Sequence, residues 1–198
     1  MTPLSKEQFE VRREESKTKI ISVALKLFSK KGFENTSISD IAKAAKISKG
    51  LTYNYFKSKD ELLEETLLFI LSKVVEVLKE GKKVKNPYKR LEFMIRTNFE
   101  LVKKEPDFWK MFIVLSLQLD KKSKAAKILK DYWSKLFENA IEIFKEMGHK
   151  NYIEMAHQYG AMMDGLSLQF ILLNDPAFPL DETLEKIIKQ YCTKKNKL

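Results

Sequence analysis

Apolar residues recur along this chain with a helical period. Ile20, Ala24, Leu27 and Phe28 form one stripe, with Ile21 and Leu25 beside it. Leu63, Leu67, Ile70, Leu71, Val74 and Leu78 form a second, and Ile128, Leu129, Trp133, Leu136, Phe137, Ala140, Ile141 and Phe144 a third. Spacings of three and four place each set on one face of an α-helix. No segment sustains the period-two alternation of a half-buried strand. Breakers cut the pattern into pieces: Gly32 after Lys30-Lys31, Gly81 after Glu80, Pro87, Pro106 after Glu105, Gly148 after Met147, and Pro176 with Pro179. Lys-then-Gly endings and Pro starts are helix punctuation. The pattern predicts helices near 12–31, 38–44, 48–55, 59–80, 87–104, 106–119, 123–147, 151–174 and 181–192. The fold class is all-α with about nine helices.

The segment 150–174 differs from the others. Tyr152, Met155, Ala156, Tyr159, Met162, Met163, Leu166 and Phe170 line one side; Ile153, Gly160, Ala161, Leu168, Ile171 and Leu172 line the other. A helix apolar on both sides needs two coverings. Either it is a fully buried central helix, or it covers its own core and a second copy of the chain. Ala161 and Gly165 are a small pair four apart, which permits close backbone approach.

Composition narrows the class. With 198 residues and 44% hydrophobic content the chain can bury a sizeable core. One Cys and two His exclude a disulfide framework and Cys₄ or Cys₂His₂ zinc sites. A lone thiol suits a reducing cytoplasm. The N-terminal residues lack a signal-peptide h-region. The apolar stretches near Leu67–Leu71 and Met111–Leu119 fall short of the roughly 18–20 residues of a membrane span. A cytoplasmic protein with no membrane partner and no cofactor is expected.

Charge adds a partner. The net charge is +10. Residues 1–59 carry 13 basic and 6 acidic side chains, and 43–59 hold Lys43, Lys46, Lys49, Lys57 and Lys59 with no acid. Such a patch fits a polyanion, nucleic acid first and an acidic membrane surface second. The competing reading is a chain in which Lys is simply the common solvated residue.

Residues 36–62 decide between these. Ser37 is placed as an N-cap with Asp40 three residues on, in a capping box. Ile38, Ile41, Ala42 and Ala45 then face inward. Lys46-Ile47 makes a tight turn with Ile47 as a buried plug, and Ser48 caps a second helix over Lys49–Tyr55. This is helix-turn-helix geometry, in which the second helix enters the major groove N-terminus first. Lys49 reaches guanine acceptors or phosphate; Thr52 and Tyr53 reach base edges, thymine methyls or phosphates. Gly50 lets backbone lie close to DNA.

The full string resembles the TetR (tetracycline-repressor-like) family of bacterial transcriptional regulators. The matching residues are Ala24, Leu27-Phe28, Lys31-Gly32-Phe33, Thr36-Ser37-Ile38, Asp40-Ile41-Ala42, Ala45, Ile47-Ser48-Lys49-Gly50, Tyr53, Tyr55-Phe56, Lys59 and Leu62, covering roughly 16–64. The resemblance implies a DNA-binding head over 1–58 and a helical effector-binding and dimerisation domain over 59–198. It places Ser37, Ser39, Lys49, Gly50, Leu51, Thr52, Tyr53, Tyr55 and Lys59 where the family contacts DNA. Thr52 stands where the family usually has an apolar core residue, so both DNA contact and packing are open to it. The stretch Ser5–Ser16, with Arg12 and Arg13, either extends the first helix or forms a minor-groove arm; extension fits better. Implied partners are double-stranded DNA with an inverted-repeat operator, a small-molecule effector of unknown identity, and a second copy.

Residues 87–147 are rich in aromatics, normally core. Asn98, Gln118, Gln158, Asp164 and Gln169 sit amid apolar neighbours, as orienting groups in an apolar ligand site do. The candidate effector residues are Met94, Asn98, Trp109, Phe112, Trp133, Phe137 and Met162. The candidate dimer residues are Tyr159, Ala161, Gly165, Leu168 and Leu172, with the seam extending over 181–192. An enzyme is not expected. Glu154 and His157 have the spacing of carboxylate-bridged metal bundles, but such sites need two copies of the motif. The remaining rival is a constitutive DNA-binding or protein-partner module without effector response.

Overall fold

The computed structural model describes residues 5–193; the start of the N-terminal segment judged above for a signal peptide, residues 1–4, lies outside it. Among the described residues there are helices and no strands. In chain order they are α1 (Lys6–Lys31), α2 (Ile38–Ala45), α3 (Lys49–Tyr55), α4 (Lys59–Lys82), α5 (Pro87–Lys104), α6 (Pro106–Gln118), α7 (Lys124–Glu146), α8 (Tyr152–Leu173) and α9 (Leu180–Tyr191).

Local capping chemistry explains the boundaries. Helix α1 starts six residues before the expected position because Ser5 and Gln8 form a capping box: the Gln8 N–H donates to Ser5 Oγ and the Ser5 N–H to Gln8 Oε1. Ser5–Ser16 therefore includes the first turns of α1, the helix-extension alternative. From Glu7 to Lys19 the side chains are exposed except for the half-buried Ser16 and Lys17, so this part buries no apolar stripe. Gly32 ends α1 at φ 83°, a conformation only glycine adopts freely, and its N–H donates to the Phe28 carbonyl. Asn86 caps α5 ahead of Pro87.

The chain forms two compact units. The first comprises residues up to 70 and 111–129. There α1 packs on α2 and α2 on α3. Ile20, Ala24, Leu25, Phe28, Ile41, Ala45, Phe56, Leu62 and Leu67 are buried. Lys17 pairs with Glu65 at 2.9 Å, and Lys124 at the start of α7 pairs with Glu64 at 2.6 Å.

The second unit comprises residues 71–110 and 130 onward. Its core joins α5, α7, α8 and α9 through Leu91, Ile95, Phe99, Ile143, Phe144, Leu166, Leu184 and Ile187 among others. Arg90 is 9% exposed and is satisfied by the Val84 carbonyl and the Glu146 carboxylate. The apolar face of α9 (Leu180, Leu184, Ile187, Ile188, Tyr191) is wholly spent on this core. A seam over 181–192 would therefore use the polar face of α9.

Candidate nucleic-acid interface

Helix α2 buries Ile38, Ile41, Ala42 and Ala45, an i, i+3, i+4, i+7 set. Its start is the expected capping box. The Asp40 N–H donates to Ser37 Oγ, and the Ser37 N–H and hydroxyl both donate to Asp40 Oδ2. These bonds from the Ser37 hydroxyl and N–H hold the Asp40 carboxyl below its ordinary pKa, with Lys31 and Lys43 adding to the effect. The turn to α3 passes through Lys46 in the left-handed region, φ 55°. The next residue, Ile47, is only half-buried. Its N–H donates to the Ala42 carbonyl, so backbone hydrogen bonding as well as apolar packing fixes this turn.

Ser48 caps α3 by accepting from the Leu51 N–H at 3.1 Å. Lys49, Gly50, Leu51, Tyr53 and Asn54 are exposed; Tyr53 is 46% exposed and a Cβ at Gly50 would meet nothing within 4 Å. A helix of two turns thus presents a lysine, a bare backbone position, a phenol and an amide outward from its capped end. Asn54 is not among the sequence candidates. It lies four residues after Gly50 on the same face, and its amide suits an adenine edge.

One expected DNA contact is corrected, and a second has an intramolecular partner. Thr52 is 0% exposed, and its hydroxyl donates to the Ser48 carbonyl at 3.1 Å, so it packs inside the head. The Lys59 ammonium donates to the Phe33 carbonyl at 2.8 Å and lies 4.2 Å from the Phe33 ring centre. Its charge is committed within the head. Ser37 and Ser39 are exposed at the start of α2, although the Ser37 hydroxyl is engaged in its cap. Tyr55 is half-buried against Phe56, with ring centres 6.3 Å apart. An open groove beside α3 is lined by Asn35, Thr36, Ser37, Tyr53, Lys57 and Lys59, among others.

The effector candidates are not brought to one place within either unit. Met94, Phe137 and Met162 pack against the core of the second unit. Asn98 is half-buried. Trp109 is buried and its indole N–H donates to the Leu101 carbonyl at 3.1 Å. Phe112 is buried but belongs to the first unit. Trp133 departs from the expected buried lining: it is 44% exposed, its ring centre 5.8 Å from that of Tyr132.

Of the dimer candidates, Ala161, Leu168 and Leu172 are exposed on α8, and Gly165 is half-buried with nothing within 4 Å of a Cβ placed there. Tyr159 is corrected: it turns inward, its ring centre 5.9 Å from Phe144 and 6.0 Å from Tyr191. Burial raises its phenol pKa. His157 stacks 4.2 Å from Phe137. Among the described residues no three His, Cys, Asp or Glu side chains group as metal ligands, and no helix is long and apolar enough to cross a membrane.

A capped, outward-facing α3 set by a tight turn on the buried face of α2 defines a helix-turn-helix domain. Comparison with known proteins agrees. Residues 20–66 match the family of bacterial regulatory proteins, tetR family. The HTH-type transcriptional regulator HbdR of Aromatoleum sp. is 42% identical over 79 residues, 39% of this chain and 34% of its own length. The likeness to the tetR family thus rests on the helix-turn-helix residues and their flanks. The chain spans only 32–34% of the length of the curated relatives HbdR, YuxN and YerO. A Clostridium perfringens fatty acid metabolism regulator superposes with a TM-score of 0.74 at 22% identity, covering 91% of this chain and 100% of that one. Bacillus subtilis FadR, solved with stearoyl-CoA, superposes with a TM-score of 0.68 at 16% identity, covering 90% and 99%. These likenesses establish the all-α fold over nearly the whole chain.

Proposed function

We propose that the protein is a homodimeric cytoplasmic transcriptional repressor, with a DNA-binding head over 1–58 and an effector-binding and dimerisation domain over 59–198. The observation that carries this reading is the exposed face of α3 beside its Ser48 cap. Lys49, Tyr53 and Asn54 read bases, Gly50 and Leu51 lie against the groove, and Ser37, Ser39 and Tyr55 meet the backbone. Two copies joined through the exposed face of α8 present two such helices, which calls for inverted half-sites about 34–36 Å apart. It is not an enzyme on this reading.

A small, largely apolar effector releases the DNA by favouring a head spacing that the operator does not fit. The aromatic and methionine side chains of 87–174 support this, Met94, Asn98, Trp109, Phe112, Phe137 and Met162 among them. The stearoyl-CoA held by Bacillus subtilis FadR supports an acyl thioester as the first class to try.

Selection of bound duplexes from a random pool tests the reading: an inverted repeat is expected, and a pool that never enriches contradicts it. Calorimetry with acyl-CoAs, with and without the selected duplex, tests release. Coupling of about 1–3 kcal/mol weakens each ligand by the other roughly 5–150-fold. Equal affinities favour the constitutive binder.

A further inference from the structure

The compact unit that holds the recognition helix includes a segment far away in sequence, residues 111–129, where α6 ends and α7 begins. Its corner carries Lys121, Lys122, Lys124 and Lys127, all exposed. A chain of neighbours runs from the recognition helix to this corner. Tyr53 and Lys57 line the groove that also holds Asn35. The Asn35 amide donates to the Lys31 carbonyl. A Cβ placed on Gly32 would stand 3.9 Å from both Asn35 Nδ2 and Gln118 Oε1. Gln118 is the last residue of α6, three and four residues before Lys121 and Lys122.

Several acids along this path are already engaged, while the exposed Glu34 shares the groove with Tyr53 and Lys57. Asp40 is held in the Ser37 capping box, Glu61 accepts the Lys57 N–H, Asp120 accepts the Lys122 N–H, and Glu64 pairs with Lys124. Lys121 and Lys122 make no ion pair among the described residues. The result is a lysine-rich corner in the same compact unit as the recognition helix, with Lys121 and Lys122 outside any ion pair among the described residues.

We propose that this corner is a second DNA-contact surface: Lys121 and Lys122 bind backbone phosphates of duplex flanking the half-site read by α3. The inference rests on the DNA-binding reading of the head. A polyanion with charge spaced along a rod suits a linear track of lysines and polar side chains, and the continuity with Tyr53 and Lys57 names duplex DNA as that polyanion. The contact carries no base specificity, so it lengthens the footprint without changing the sequence preferred.

The test uses the full chain and the duplex selected from the random pool, once trimmed to its inverted repeat and once with about ten random base pairs added on each side. Affinity is measured across salt for the wild type, for Lys121→Gln with Lys122→Gln, and for a control, Lys79→Gln with Lys82→Gln. The wild type and control should bind the flanked duplex with a log–log salt slope steeper by about 2–4 than the trimmed one, two lysines on each protomer counting about −0.9 per phosphate neutralised. The corner variant should show one slope for both duplexes and retain wild-type affinity for the trimmed one, which also shows that it folds. Equal slopes for the wild type on both duplexes, or a corner variant indistinguishable from the control, would overturn the proposal while leaving the head's reading intact. Failure of the wild type to bind any duplex would overturn both.

Discussion

Lys59, at the first position of α4, donates from its ammonium to the carbonyl of Phe33 at 2.8 Å and stands over that residue's ring. Phe33 in turn packs against Phe28 of α1, with ring centres 5.3 Å apart. One lysine thus ties the turn after α1 to the start of α4. Lys59→Ala removes a charged hydrogen bond and a cation–π contact and should destabilise the protein by about 1–2 kcal/mol in urea unfolding. Its effect on DNA binding should follow that loss and be the same for every sequence. Unchanged unfolding with a shallower salt slope would return the charge to phosphate.

Thr52 and Tyr53 are adjacent but have opposite roles. Thr52→Val keeps the buried shape, and the Ser48 carbonyl still accepts the residue 52 N–H. It should change stability by less than about 1 kcal/mol and leave base discrimination untouched. Tyr53→Ala should leave stability nearly unchanged and reduce discrimination by about 1–3 kcal/mol in competition binding.

The Ser37–Asp40 box predicts an acid limb. The Asp40 pKa is lowered in the folded state, chiefly by the Ser37 hydroxyl and N–H. Its contribution is therefore present above the unfolded carboxyl pKa of about 4 and is lost as pH falls through the lower folded value. Asp40→Asn should be less stable than wild type at pH 6, and the difference should shrink on acidification below about pH 4. A gap that widens with acid would reverse the assignment.

Helix α8 exposes Ile153 at 48%, Leu168 at 40% and Leu172 at 57%. Leu168→Glu with Leu172→Glu, and separately Gly165→Trp, should convert a sedimenting dimer to a monomer while keeping helical circular dichroism. Within one chain a Cβ at Gly165 meets nothing within 4 Å, so the start of a side chain is accommodated there. A wild type that sediments as a monomer at micromolar concentration contradicts the proposed seam.

Much of this was legible in the sequence, for physical reasons. The stripes Ile20–Phe28 and Leu63–Leu78 and the Gly32, Pro87 and Pro106 punctuation located helices to within a few residues, because burial and backbone constraint leave a local mark. The first turns of α1 do not bury a face, so only the Ser5–Gln8 box announced them. The caps at Ser37 and Ser48 were readable because capping acts over three residues. The commitments of Lys59 to Phe33 and of Tyr159 to Phe144 and Tyr191 were not, since each partner lies 15 or more positions away. Exposed lysines also look alike in sequence, whether they face DNA, pair with Glu64 as Lys124 does, or clamp a turn. The assignment of 111–129 to the head unit arises from contacts such as Lys124–Glu64, 60 residues apart, which no local pattern encodes.

The central claim is that α3 reads duplex DNA. The most direct measurement is the affinity of wild type and of Tyr53→Ala for the selected duplex and for a scrambled duplex of the same length, titrated across salt. Wild type should bind tightly with a steep negative salt slope, and the variant should still bind both duplexes through phosphates but discriminate between them about 5–150-fold less. Salt-independent binding, or full discrimination retained by Tyr53→Ala, would contradict it.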